Sequence, residues 1–244
     1  NPWVALLAAL VVGGLAGLVT ALLHTKCGIP AILAGILTQL ALYSVNLRIL
    51  TGKANQPVSV DKYPLLVSQR YVRELSLRNP ILLIVVIIAF IIMVLYWFFG
   101  TEKGCSIRAT GANKSMARAN GINPDNDIIL GLIISNALVA LSGALIAQYQ
   151  GSVDVNMGRG AIVIGLAAVI IGEVVFKKIR VNFAGRLTFV TLGAVIYYIV
   201  IQITLLLGLN TNDLKLITAV IVGLFLALPY WKGKVGERRS GMEV

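Results

Sequence analysis

The 244-residue sequence is poor in the groups that do chemistry, with one histidine, two cysteines and ten acidic residues. His24 stands alone, and no His, Cys and carboxylate cluster has a spacing that would hold a metal ion. No Ser or Cys lies in a recognisable nucleophile setting. "GANKS" at Gly111–Ser115 resembles the tail of a phosphate-binding loop, which needs Gly before Lys-Ser and a strand ahead of it. Asn113 replaces that glycine and no strand pattern precedes it, so the chain lacks equipment for ATP hydrolysis. No cofactor is implied. Cys27 and Cys105 lie beside expected helix ends with no partner motif, which reads as free thiols facing a reducing compartment.

Charge is scarce as well. Charged residues make up 13% of the chain, against roughly a quarter in a soluble domain. Hydrophobic residues make up 58% and the mean hydropathy is +0.88. Apolar runs recur at about the 20 residues a helix needs to cross the hydrocarbon layer. This composition excludes an ordinary soluble domain and predicts an all-α, polytopic helical membrane protein. Seven spans are expected, at Trp3–Leu23, Pro30–Leu47, Pro80–Gly100, Asp127–Tyr149, Gly160–Phe176, Leu187–Gly208 and Leu214–Trp231. The chain opens on Asn1-Pro2-Trp3 without initiator Met, basic n-region or signal peptide, so further N-terminal spans are expected upstream. In the first span, Ala9, Gly13 and Gly17 form a small-residue row that lets a neighbouring helix approach closely. Pro30 and Pro80 suit helix first turns, where a missing N–H costs nothing.

The net charge of +11 could suggest nucleic acid, but the cations sit mainly in short loops between apolar runs, as orientation by Lys and Arg produces. With the tail 232–244 placed inside, alternate loops hold Lys26, four cations in Thr101–Asn126, four in Lys177–Arg186 and four in the tail, or 13 of 21. Of the other eight, six lie in the long external stretch 48–79, and long segments cross despite their charge. After Pro64 that stretch reads as a short amphipathic helix lying on the membrane face, or equally as a platform for an external partner. The domain reading is a transmembrane domain over 1–231, a cytoplasmic loop over 101–126 and a basic cytoplasmic tail over 232–244.

Polar groups inside the spans are few. Gln39, Ser135 and Asn136 are candidates for lining a solute path, although interhelical hydrogen bonding is the commoner use of such amides. Glu173 is the one carboxylate inside an apolar run; it either reaches water at a helix end or pairs with Lys177, or else serves function. Gly158, Gly160, Gly165 and Gly172 mark either broken helices or, more plainly, close helix packing.

The sharpest signal is "GCSIRATGANKSMARANGIN", Gly104–Asn123. Thr110, Gly111 and Asn113 are turn and cap formers, and "KSMARANG" can form one or two helical turns stopped by Gly121. A short basic helix with small residues exposed fits a partner's groove better than it fills a core. The same stretch resembles the signature cytoplasmic loop of permeases from the bacterial ABC importer family that includes the branched-chain amino acid and ribose/xylose permeases. There the pattern runs hydrophobic-Arg-Ala-x-Gly-x-Asn-x-x-Ala-x-x-x-Gly-Ile, matched by Arg108, Ala109, Gly111, Asn113, Ala117, Gly121 and Ile122. The family often carries two alanines in mid-loop, where this chain has Ala117-Arg118. The segment "GRGAIVIGLAAVIIGEVVF" and the external loop look most like the tryptophan/tyrosine-type or uncharacterised branch.

The resemblance implies a multi-pass permease subunit in the bacterial cytoplasmic membrane. Its expected partners are a second permease copy, two ABC ATPase subunits, an extracellular solute-binding protein and membrane lipid. Arg108, Ala109, Gly111, Asn113, Ala117 and Gly121 would carry a coupling helix to the ATPase. The residues leave the solute open among an amino acid, a sugar and a nucleoside. A self-sufficient secondary transporter or channel driven by an ion gradient, and a non-transport scaffold, are the rival readings.

Overall fold

Within hydrocarbon a backbone amide has no water to pair with, and a helix satisfies each one within its own segment. The apolar runs therefore set the architecture of the computed structural model, which describes residues 1–58, 65–68, 80–158, 161–176 and 182–206, with single positions 220 and 223. Its helices are α1 (Pro2–Thr25), α2 (Ala31–Ile49), α3 (Pro80–Gly100), α4 (Glu102–Ala112), α5 (Lys114–Ala119), α6 (Pro124–Gln150), α7 (Ala161–Val175) and α8 (Phe183–Leu206). Two short strands, β1 (Asn55–Pro57) and β2 (Ser152–Asp154), join them.

Five of these helices (α1, α2, α3, α6 and α8) are long and apolar enough to cross a membrane. The expected count of seven is therefore not reached among the described residues. The expected fifth span is the 15-residue helix α7, shorter than the roughly 20 residues a crossing takes. The expected seventh span and the basic tail lie outside the described residues. So does most of the expected interfacial helix, of which only Leu65–Ser68 is described, as a bend with Val67 and Ser68 buried.

The chain divides into two compact units, Asn1–Gly158 and Arg159–Val244. In the first, α1 and α6 are the most closely packed pair. A methyl group built on Gly17 would lie 2.5 Å from the Leu132 carbonyl oxygen and 2.9 Å from Asn136 Cβ. One on Gly13 would lie 2.7 Å from the Asn136 carbonyl oxygen. No side chain fits at either position, so the expected small-residue row is a seam between two helix backbones. One turn beyond Gly17, the buried Thr20 hydroxyl donates to Thr38 Oγ1 of α2 at 2.9 Å. Thr38 in turn donates to the Ala34 carbonyl at 2.9 Å, so the pair bridges the helices with no hydroxyl stranded. At the α1–α2 turn, His24 Nδ1 lies 2.8 Å from the Ile29 carbonyl oxygen. A carbonyl only accepts, so the proton sits on Nδ1.

The far end of α6 is capped by Gly151 in the left-handed conformation (φ +67°). That turn lets β2 pair antiparallel with β1, with Gln56 opposite Val153. The ribbon extends through Val58 N–H to the Gly151 carbonyl (2.8 Å) and Val155 N–H to the Ala54 carbonyl (2.9 Å). Gln148 Oε1 accepts from the Leu66 N–H at 3.2 Å, tying the 65–68 bend to the same end.

In the second unit, α7 and α8 meet through glycine as well. A methyl built on Gly193 would lie 2.7 Å from the Gly172 nitrogen. One on Gly172 would lie 2.8 Å from the Phe189 carbonyl carbon. Close packing therefore explains Gly172, whereas Gly158 and Gly165 face open space and Gly160 is outside the described residues. Phe176 and Phe189 stack at 4.4 Å, and Tyr197 is fully buried with Ala167 and Ile171.

Candidate functional site

The segment between α3 and α6 is built from polar caps in place of apolar packing. Thr101 reverses the chain after α3: its hydroxyl donates to the Phe98 carbonyl at 2.6 Å and accepts from the Gly104 N–H at 3.3 Å. Gly104 is needed there, because a Cβ would overlap the Phe98 carbonyl and the Phe99 backbone. Glu102 in the first turn of α4 complements the positive helix N-terminus. The helix then runs through Thr110 and Gly111, turn formers by residue type, and ends only at Asn113.

Asn113 serves both neighbours. Its N–H bonds the Ala109 carbonyl at 3.0 Å, closing α4, and its Oδ1 accepts from the Met116 N–H at 3.0 Å, opening α5. Its extended backbone (φ −157°) turns the second helix away from the first. The stop after α5 is likewise local: Asn120 Nδ2 donates to the Met116 carbonyl at 3.0 Å, and Gly121 takes a left-handed φ of +77°. Asn123 then caps α6, accepting from the Asp125 N–H at 3.1 Å, with Pro124 in the first turn. The α5 helix and its glycine stop are thus where the sequence predicts them.

Asp127 fixes this assembly to the bundle. Its carboxylate oxygen Oδ2 accepts from the Ser106 hydroxyl at 2.5 Å and from the Thr110 hydroxyl at 2.8 Å. Ser106 and Thr110 are one turn apart on α4, hence on one face. Asp127 is only 5% exposed and Thr110 only 3%. Hydrogen bonds to a charged acceptor contribute about 1.5–3 kcal/mol each, so this contact joins α4 to α6 more firmly than apolar contact alone. Ile107 adds to it by lying over Gly131 of α6.

The motif residues divide by what they face. Arg108, Gly111, Asn113 and Gly121 are exposed and Ala109 is half-buried. Arg108 Nη2 donates to Cys105 Sγ at 3.3 Å; Cys105 and Cys27 are both exposed free thiols. Nothing lies within 4 Å of a Cβ built on Gly111. Ala117, by contrast, is 0% exposed, packed inward with the Ile122 N–H on its carbonyl. Met116 beside it is an apolar side chain 51% exposed, flanked by the exposed Lys114 and Arg118. α4 and α5 therefore present a small, basic surface with one apolar knob that the chain's own described residues leave open.

No hydrogen bond among the described residues joins the candidate path residues Gln39, Ser135 and Asn136 to one another. Gln39 is exposed on α2. Ser135 and Asn136 both spend a hydrogen bond on the Leu132 carbonyl of their own helix, at 3.2 and 2.9 Å. Asn136 also forms part of the α1–α6 seam. Glu173 is exposed near the end of α7, and its suggested partner Lys177 lies outside the described residues. The role of Asp127 was missed by reading the sequence, although a carboxylate at the head of an apolar span, with hydroxyls at Ser106 and Thr110, was the available signal.

Long apolar helices carrying an exposed polar helix pair at one end define a multi-pass membrane protein. The chain belongs to the family of permease components of branched-chain amino acid transport systems, whose model matches residues 1–229. It is 42% identical over 227 residues to a tyrosine transport system permease protein of Clostridioides difficile, covering 93% of this chain and 73% of that protein. An uncharacterized protein of Rickettsia prowazekii is 34% identical over 226 residues, covering 92% and 77% respectively. The autoinducer 2 import system permease protein LsrC of Yersinia pseudotuberculosis is 31% identical over 172 residues, covering 68% and 45%. No solved structure matches the chain. It is accordingly a permease subunit of the ABC importer type and a multi-pass protein of the bacterial cell membrane, as the loop resemblance led one to expect.

Proposed function

We propose that this chain forms the solute pathway of an ATP-driven amino acid importer, with tyrosine the leading solute. The tyrosine transport permease at 42% identity supports that choice. In this reading the functional unit is a homodimer with seven spans per copy, Leu214–Trp231 being the seventh. A separate extracellular binding protein delivers solute on one side, and ABC ATPase subunits dock against α4 and α5 on the other. The loop 101–126 and the basic tail 232–244 face the cytoplasm. Hydrolysis takes place on the partner chain, and lipid surrounds the pair. Gln39, Ser135 and Asn136 remain the candidates for contacting solute.

One observation carries the reading. The α4–α5 pair leaves Arg108, Gly111, Lys114, Met116 and Arg118 uncovered, yet is anchored on the spanning helix α6 through Asp127. A surface both exposed and rigidly attached to a membrane helix suits an ATPase that must grip it differently in two states, since without differential binding no work is transmitted. Reconstitution in proteoliposomes tests this. ATP-driven uptake of labelled tyrosine is expected only when this chain, its ATPase and its binding protein are all present. Tyrosine uptake by this chain alone, driven by an ion gradient, would overturn the proposal in favour of a self-sufficient secondary transporter.

A further inference from the structure

We infer that the Ser106–Asp127–Thr110 contact is the latch that carries movement of α4 and α5 into the spanning helices, and that Asp127 is a positioning residue for transport. The inference rests on the reading of α4–α5 as the seat of an ATPase. Between α4 and α6 the polar bonds converge on one atom, Oδ2 of a buried carboxylate. The two donors are one turn apart on α4, so a pull on that helix loads both bonds together. Asp127 sits in the first turns of α6, and the tight seam with α1 begins at Leu132. Five residues of helix separate them, about 7.5 Å along the axis. At the seam, Gly17 and Gly13 leave no gap against the α6 backbone, so α6 cannot shift without carrying α1. The path from exposed loop to helix pair is thus continuous: α5, Asn113, α4, the Asp127 latch, α6, α1. Each joint is short and has a defined partner.

Hydrogen–deuterium exchange on the assembled complex with its ATPase, with and without a trapped ATP analogue, tests the latch. The readouts are peptides covering 113–123 and the first turns of α6, 124–131. In the wild type, nucleotide is expected to change exchange in both regions, by about tenfold. In the Ser106→Ala/Thr110→Val double variant, which keeps side-chain volume at 110, the change is expected to remain in 113–123 and to vanish from 124–131. The Asp127→Asn variant, which keeps an acceptor oxygen, is expected to retain the wild-type pattern. A full nucleotide response in 124–131 of the double variant overturns the latch. So does a wild-type response confined to 113–123, which leaves the docking reading intact. A wild type with no response in either region overturns both.

Discussion

Gly111 and Ala117 lie six positions apart in the same motif and answer to different constraints. A side chain at Gly111 meets nothing within 4 Å, so the chain itself sets no limit on its size. A partner seated on α4–α5 would. Gly111→Trp is therefore expected to insert and assemble normally, with an unchanged melting temperature in detergent, while ATP-driven uptake falls by about tenfold or more, within the range of ordinary coupling energies. Ala117 is fully buried, and enlarging a packed site costs about 1–3 kcal/mol. Ala117→Leu is thus expected to lower the melting temperature itself, with any loss of uptake following from a disturbed loop. Comparing the two variants by thermal melt and by uptake separates a contact surface from a packing residue. Sequence alone could not make that division, because both positions read as small residues in a basic stretch. Thr110 was obscured in the same way. A threonine next to glycine reads as a turn former, whereas Thr110 is helical and buried, with its hydroxyl on the distant carboxylate of Asp127.

Among the elements, the α1–α6 pair depends most on a few residues. With no hydrophobic drive between helices in lipid, close backbone contact supplies the association, and Gly13 and Gly17 make that contact possible. Gly17→Leu must push the helices apart and is expected to lower the melting temperature by about 5 °C. The Thr38→Val change, which removes one interhelical hydrogen bond worth about 0.6 kcal/mol, should be far milder. Equal loss in both variants, measured by thermal denaturation in the same detergent, would contradict the assignment of the seam. This element was legible beforehand, because spacing by four places Ala9, Gly13 and Gly17 on one helix face. The identity of the partner helix was not, since nothing local in α1 points to residues 132–140. The β1–β2 ribbon was hidden for the same reason. Asn55–Pro57 and Ser152–Asp154 lie almost a hundred residues apart and neither shows a strand alternation. α7 read as a span on hydropathy, yet its described helix of 15 residues is short for one.

For the whole molecule, the ribbon and the α4–α5 pair sit at opposite ends of α6, a 27-residue helix about 40 Å long. One end ties the connections of α2 and α6 together; the other presents a basic, uncovered helix pair. In the proposed importer these two ends would serve partners on the two membrane faces, and their difference follows from where the sequence places its polar residues. The central claim is that an ATPase occupies α4–α5. The most direct measurement is photo-crosslinking from an unnatural side chain at position 111, in native membranes with all subunits present. The account predicts an adduct with the ATPase subunit whose yield changes with nucleotide. An adduct with an extracellular binding protein, or none with any second polypeptide, would contradict it.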